Sequence, residues 1–390
     1  MLKEKTVQRF RPGAAFSYGY LGRSSQPAER SLAEELARDH GLRLITDWPM
    51  LALSVRCFVA QVAPGQDPAK VTERLEADKR VESAQVMQLF HGIGHNDPFY
   101  PLQSAARLLR LDELHRVATG KHVSVALIDT GIDLLHPDLK GQVSKAENFV
   151  DGTTYVAELH GTAVAGVIVA KADNGIGIVG IAPSASIMSL RACWQNTQDS
   201  LGALCDSFTI GKAIQFALAH QANIIHFSLA GPHDRLLERL IDKAADRGII
   251  VVSAVNSDDP LLNFPASHSR VIGVASSRRY PAQGRTLLAP GERVLTTTLN
   301  ASWAFFSGSS FAAAHVTGIT ALLLEKSPNL KSVEIVELLS HGRYERSLRD
   351  TPVQIDGCFA LARVVESNVC SSDIPATIPA VHNRLASPPS

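Results

Sequence analysis

A serine lies among small residues at position 310, directly ahead of an apolar run, in the segment GSSFAAAHVTG of residues 308–318. This pattern indicates a nucleophile at the start of a buried helix. The unpaired N–H groups of such a helix could stabilise charge on a reacting carbonyl, and small neighbours would let a substrate backbone approach. An ordinary helix cap has the same local pattern.

Two other polar residues lie at the ends of predicted elements. Asp129 closes an apolar strand predicted for residues 123–128, and His160 opens a small-residue helix predicted for residues 163–170. Together with Ser310 they could form a triad in which the serine attacks a carbonyl, the histidine takes its proton and the aspartate orients the imidazole. Taken singly, the histidine could be a cap and the aspartate a turn former.

Length and composition limit the kind of protein that carries these residues. The chain has 390 residues, of which 45% are hydrophobic, enough for one large core and a smaller domain. Its formal net charge is zero, so no bulk field favours nucleic acid or an anionic membrane. The apolar run 312–324 is shorter than the roughly 20 residues of a membrane-spanning helix. Neither a nucleic-acid partner nor a membrane span is expected.

Strands and helices alternate from Lys121 onward. Apolar runs predict strands at 123–128, 187–190, 223–229, 249–254 and 271–275. Helical apolar stripes occupy residues 210–218 and 236–245, and a surface helix is predicted at about 332–340. This alternation predicts an α/β fold, with a mostly parallel sheet covered by helices on both faces.

A smaller α+β module is predicted ahead of this region. Residues 53–60 alternate as a strand does, Asp67-Pro68 can start a helix, and residues 81–89 form a second strand candidate. Residues 1–44 show no clear period apart from a possible short helix at 30–41. His91 and His95 lie in a Gly-rich segment. The favoured interpretation is a linker, because no Cys, Asp or Glu partner lies at ligand spacing, and a metal-binding pair of histidines is the alternative.

The polar stretches resemble the subtilisin-like serine proteases, or subtilases, because Asp129, His160 and Ser310 occur in that family's order. The likeness extends to the segments DTGID at 129–133, HPDL at 136–139, HGTAVAG at 160–166 and GIAP at 180–183. The resemblance implies a subtilisin-like fold and a serine endopeptidase that acts on polypeptides through an acyl-enzyme, without a cofactor for the chemistry. A catalytically weak or silent peptide-binding relative is the alternative.

The resemblance also implies a domain order. Residues 45–95 are similar to a subtilase propeptide with its linker, and Asn96 to Tyr100 resemble the start of a mature subtilase. The expected domains are an extension at 1–44, this module at 45–95, a peptidase at 96–368 and a disordered tail at 369–390. The protein is expected to be a monomer and a self-processing precursor whose own module acts as an intramolecular inhibitor.

The substrate and oxyanion sites are assigned by resemblance as well. The substrate-binding residues are Ser228, Leu229, Ala230, Gly231 and Phe264. Ala230 occupies a position where subtilases usually have glycine. Asn256 is the candidate oxyanion residue, although it comes one residue early when counted from Gly248, so a deletion or a shifted role is possible.

The segment GIGIVG at 175–180 matches a dinucleotide fingerprint, but it follows a predicted helix where that fingerprint follows a strand. A nicotinamide oxidoreductase is therefore only a distant third function. In subtilases the equivalent stretch is a calcium-binding loop, and hard oxygen ligands suit calcium. A loop held only by glycine turns is the alternative. The implied structural Ca²⁺ ligands are the carbonyls of Ala172, Ile176 and Ile178, the side chain of Asn174, and the carboxylates of Asp138 and Asp97.

The five cysteines cannot all pair within one chain. Cys193 and Cys205 bracket a polar excursion that a disulfide could close, and free thiols are equally compatible with the pattern. Residues 1–20 carry basic residues without the apolar segment of a signal peptide. This indicates a cytoplasmic protein, or an exported or periplasmic one whose leader is absent from this sequence.

Overall fold

The structure is a computed structural model. It describes residues 2–7, 27–50, 55–86, 94–195, 201–256, 258–259, 261–276, 286–340, 353–367 and 369–370. The chain divides into two compact units, Met1–Gly92 and Ile93–Ser390.

The first unit packs two helices on a small sheet. Its elements are β1 (Leu2–Val7), α1 (Pro27–Asp39), β2 (Arg43–Met50), β3 (Val55–Gln61), α2 (Pro68–Glu76) and β4 (Val81–Val86). The strand order is β2-β3-β1-β4. Buried Leu36 of α1, Phe58 of β3 and Leu75 of α2 share one core. The predicted cap of α2 is confirmed, since the Asp67 side chain accepts a hydrogen bond from the Ala69 N–H.

The N-terminal boundary of this unit differs from the boundary expected from the sequence. Strand β1 pairs in parallel with both β3 and β4, so residues 2–7 lie inside the sheet. Helix α1 and strand β2 also belong to the unit. Much of the expected extension at 1–44 is therefore part of the module, because β1 joins its sheet and α1 joins its core. Helix α1 corresponds to the possible helix at 30–41, whereas residues 2–7 showed no clear sequence period.

The second unit begins with α3 (Ser104–Leu108), α4 (Leu111–His115), β5 (Ser124–Asp129), β6 (Val143–Asn148), α5 (Leu159–Val169), β7 (Ser186–Arg191), β8 (Cys193–Gln195), β9 (Ala203–Cys205), α6 (Ser207–Ala219), β10 (Ile224–Phe227) and α7 (Arg235–Asp246). It continues with β11 (Ile250–Ala254), β12 (Val271–Ala275), β13 (Thr286–Leu288), β14 (Val294–Thr298), β15 (Ser302–Phe306), α8 (Ser309–Lys326), α9 (Ser332–Leu339), β16 (Val353–Gln354) and α10 (Gly357–Val365).

An eight-stranded sheet organises this unit, in the order β16-β13-β12-β11-β10-β5-β7-β6, and every neighbouring pair is parallel. Successive side chains of β5 are buried on opposite faces of the sheet. Val125 and Leu127 join the cluster that contains α5 and α8, whereas Ala126 and Ile128 join the cluster that contains α6 and α7. The predicted α/β fold, with helices on both faces of a parallel sheet, is confirmed.

Two disulfides are present in the described chain. Cys193 pairs with Cys205 across β8 and β9, which decides the alternative that the sequence left open. Cys358 of α10 pairs with Cys370, a bridge that the sequence analysis did not anticipate and that lies in the first residues of the expected tail. The rest of that tail, from residue 371, lies outside the described residues. Cys57 is the remaining thiol.

Within the described part of the chain, no helix combines the length and the apolarity that crossing a bilayer would need.

Candidate active site

Asp129 is the last residue of β5, at the carboxyl edge of the sheet where functional side chains of parallel α/β folds gather. It is buried, and its Oδ1 accepts hydrogen bonds from the Thr130 N–H at 2.6 Å and from His160 Nδ1 at 2.8 Å. Oδ2 has no hydrogen-bond partner among the described residues. The carboxylate is thus directed at the imidazole.

His160 is the second residue of α5 and is buried. Because the Asp129 oxygen can only accept, the imidazole proton lies on Nδ1 and Nε2 keeps a lone pair. Burial lowers the pKa of His160, but the charge of Asp129 and its hydrogen bond raise it by more, so the pKa lies above its ordinary value. The ring is therefore a stronger base than a free imidazole.

Ser310 is the second residue of α8, and its Oγ lies 3.2 Å from His160 Nε2. Gly308, the N-cap residue of α8, has a φ of 155° and no side chain that could cap the helix. Ser310 Oγ also lies 3.4 Å from the carbonyl oxygen of Ser228, which comes just after β10. The structure therefore joins Asp129, His160 and Ser310 in one hydrogen-bonded chain, with the serine hydroxyl facing a lone pair that can take its proton.

A cavity of about 670 Å³ opens beside these residues. Its lining includes all five predicted substrate-binding residues, which are Ser228, Leu229, Ala230, Gly231 and Phe264. Gly231 and Phe264 form an antiparallel bridge, in which each N–H donates to the other's carbonyl at 2.8 and 3.0 Å. The bridge holds the two predicted walls of the pocket together.

Asn256 also lines the cavity, but its side chain is engaged within its own loop. Oδ1 accepts from the N–H groups of Asp258 and Asp259, and Nδ2 donates to the Leu262 carbonyl at 3.4 Å. The expected oxyanion role would require this amide to leave those contacts. Ser257, the next residue, lies outside the described part of the chain.

The expected calcium ligands surround one loop. Asp138 is fully buried, with Oδ1 accepting from Asn174 Nδ2 and Oδ2 accepting from the Ile178 N–H and Trp303 Nε1. Asp97 is also buried and accepts from the N–H groups of residues 173 and 174. Neither carboxylate has an ion-pair partner among the described residues, and burial raises the pKa of Asp97. Two carboxylates buried in this way suit a bound cation.

The sequence analysis did not single out His226, which lies in β10 beneath the site. Its ring is fully buried between Thr317 Oγ1 at 2.7 Å and Ser228 Oγ at 2.6 Å. Burial lowers its pKa to about 4, so it is neutral at pH 7. It supports the Ser228 segment whose carbonyl contacts Ser310. An apolar strand with one histidine carries no local signal for this role.

Comparisons with known proteins agree with this architecture. The model of the Subtilase family matches residues 120–351. The "Thermophilic serine proteinase" of Bacillus sp. (strain AK1) is 32% identical in an alignment 274 residues long that covers 66% of this chain and 67% of that protein. Subtilisin E of Bacillus subtilis (strain 168) is 30% identical over 290 residues, covering 69% of this chain and 72% of that protein.

A solved structure of a protease from Pseudoalteromonas arctica PAMC 21717 is also similar. It aligns with this chain with a TM-score of 0.57 at 25% identity. The alignment covers 69% of this chain and 99% of that structure.

Proposed function

The chain belongs to the subtilase family of serine-type endopeptidases, and we propose that it hydrolyses peptide bonds through Asp129, His160 and Ser310. The observation that carries this proposal is their continuous hydrogen-bonded chain, 2.8 Å from Asp129 to His160 and 3.2 Å from His160 to Ser310. Both distances lie within reach of a proton transfer.

In this mechanism Ser310 Oγ attacks the substrate carbonyl carbon while His160 Nε2 takes its proton. The C–N bond then breaks as His160 returns the proton to the leaving amine, which leaves an ester on Ser310. Water then attacks the ester while His160 takes its proton, and His160 returns that proton to Ser310 Oγ as the acid product leaves. The backbone N–H of Ser310, in the first turn of α8, is a donor for the oxyanion. Asn256 is a second candidate donor if its loop contacts open.

We further propose that residues 228–231 bind an extended substrate by adding it as a strand. The segment lines the cavity beside Ser310, and its Gly231 is already bridged to Phe264 on one side. Substrate selection would then depend on the side chains that line this cavity, including Ala230.

A fluorophosphonate probe tests the catalytic proposal, because it reacts covalently only with an activated serine. We expect the wild type, freed of residues 1–92, to be labelled, Ser310→Ala to stay unlabelled, and the neighbouring Ser309→Ala to be labelled like wild type. A folded wild type that remains unlabelled would instead support the alternative of a silent peptide-binding relative.

The first unit is proposed to be an inhibitory module that the enzyme removes itself. In support, it has its own core, and β4 ends at Val86, only a short segment before the second unit. That segment would enter the cleft as a product-like peptide. We expect wild type to be cut between about Phe90 and Asp97, and Ser310→Ala to stay full length, as judged by mass spectrometry. Processing of Ser310→Ala in a protease-free preparation would refute self-cleavage.

The triad chemistry needs no cofactor, and calcium is proposed only as a structural ion. Asp97 and Asp138 would hold it together with the Asn174 side chain and the carbonyls of Ala172, Ile176 and Ile178. The Asn174 amide would have to turn, because it now donates to Asp138 through Nδ2. We expect excess chelator to lower the melting temperature and added calcium to restore it. An unchanged melting temperature would count against the site.

A further inference from the structure

Two imidazoles face each other next to the loop at 172–178. His95 Nε2 lies 2.9 Å from His115 Nδ1, and the rings meet edge to face. The opposite nitrogen of each ring is taken, since His95 Nδ1 lies 3.1 Å from Asp173 Oδ1 and His115 Nε2 lies 2.9 Å from the Ile181 carbonyl. Both of those oxygens only accept, so each of these ring nitrogens carries its proton.

The facing nitrogens are therefore left with two lone pairs directed at each other, which requires either an extra proton or a metal ion between them.

A third group makes the metal ion the better match. Asp112 Oδ1 is buried without a hydrogen-bond partner among the described residues, and it lies 3.9 Å from His95 Nε2. Asp112 and His115 are three residues apart on α4, and so share one helix face. A proton between the two histidines leaves this oxygen unsatisfied, whereas a metal ion would use all three atoms.

We propose that His95 Nε2, His115 Nδ1 and Asp112 Oδ1 bind a divalent transition-metal ion of the zinc type. Nitrogen ligands at 2.0–2.1 Å from a tetrahedral zinc lie roughly 3.3 Å apart, so the two histidines need to separate by about 0.4 Å. The Asp112 side chain has to turn toward both rings, because its Oδ1 lies 3.9 Å from His95 Nε2 and forms no contact within 4.0 Å with His115. Imidazole nitrogen favours such metals over calcium.

The surroundings are those of a supported metal site. Asp173 behind His95 and the Ile181 carbonyl behind His115 fix the two tautomers, as partners of metal-bound histidines do. Asp97 also lies close, with ligand atoms of His95, Asp97 and Asp173 all within 4.8 Å of one another, which adds negative charge.

A cavity of about 440 Å³ gives access to these residues and room for a water in the fourth position. Arg116 and Lys171 also line it, so the site carries cationic as well as anionic neighbours. A bound ion would tie residue 95 to α4. This site needs neither Asp138 nor the catalytic triad.

The test uses full-length Ser310→Ala in excess calcium, so that His95 stays attached and the oxygen-rich loop is filled. We expect one Co²⁺ to bind with the intense visible bands of a four-coordinate nitrogen-containing site, and Zn²⁺ to displace it. His115→Gln removes a direct ligand. Loss of a residue that only supports a ligand costs 10- to 100-fold in metal affinity, so this variant should bind zinc at least about 100-fold more weakly. The control His220→Gln removes an exposed histidine that also contacts a backbone carbonyl, and it should bind as wild type does.

Asp112→Asn serves if His115→Gln does not fold, and should weaken binding as well. Absence of zinc binding to the folded parent, a six-coordinate cobalt spectrum, or unchanged affinity in both ligand variants would overturn the proposal and leave a proton-sharing histidine pair. None of these results depends on whether Ser310 is catalytic.

Discussion

A single methyl group next to His160, the proposed catalytic base, should separate this residue from Asp129. In Gly161→Ala the new Cβ would lie 2.3 Å from the Thr130 carbonyl oxygen and 3.0 Å from the Gly131 carbonyl oxygen. Ordinary van der Waals contact begins at 3.4 Å, so the start of α5 would have to move by about 3.4 − 2.3 = 1.1 Å. Both obstacles are backbone atoms, which cannot rotate away as a side chain would.

That movement acts directly on His160. The Asp129–His160 hydrogen bond and the bond from the Gly161 N–H to Thr130 Oγ1 are each 2.8 Å long, and both span the contact that the methyl would open. A displacement of about 1 Å near the chemistry costs on the order of 100-fold in rate. Overpacking of this kind also costs about 1–3 kcal/mol of stability. We expect both losses together.

The assay is kcat/KM on a chromogenic peptide, corrected for the folded fraction from the melting curve. Gly211→Ala is the matched control, since it lies inside α6 and its new Cβ would meet only side chains at 3.6–3.8 Å. The control should keep full activity and gain up to about 1 kcal/mol from helix propensity. Full activity of folded Gly161→Ala would refute the argued contact between α5 and the end of β5.

Three other predictions concern His160, the disulfide between Cys193 and Cys205, and Asp138. Only neutral His160 can take a proton, and its pKa is raised, so kcat/KM in a pH–rate profile should fall as the pH drops through a value above 6.5. Asp129→Asn should shift this fall in kcat/KM to lower pH and should reduce kcat by about 10,000-fold. Replacing Cys193 and Cys205 together with serine should cost on the order of 3 kcal/mol in urea unfolding, and a loss near zero would show that this bridge does not restrict the unfolded chain. In Asp138→Asn, adding calcium to chelator-treated protein should no longer raise the melting temperature, since a buried negative ligand is gone; an undiminished effect of calcium would place the calcium elsewhere.

The central strands could be predicted from the sequence because both of their faces are buried, which makes them continuous apolar runs. Strands β5, β11 and β12 match such runs closely. The edge strand β6 was missed because it reads VSKAEN and leaves all of its side chains partly or fully exposed. Strand β16 has two residues, too few to show any period.

Asp129, His160 and Ser310 could be named from the sequence because each follows or opens a recognisable element and because together they resemble a family. Their spacing along the chain says nothing of the hydrogen bonds that join them. Those arise because β5 ends, and α5 and α8 begin, at one edge of the sheet. His226 had no sequence signal, since its partners Thr317 and Ser228 become neighbours only through packing.

The sequence by itself determined the α/β class, the family and the identity of the candidate triad, because apolar periodicity and short local motifs are properties of neighbouring residues. Only the tertiary structure decided what distant residues do to one another. It engaged the Asn256 amide within its own loop and paired Cys193 with Cys205. It also brought His95, assigned to a linker from its glycine-rich surroundings, against His115. Such contacts depend on directions and distances of about 3 Å, which no local pattern encodes.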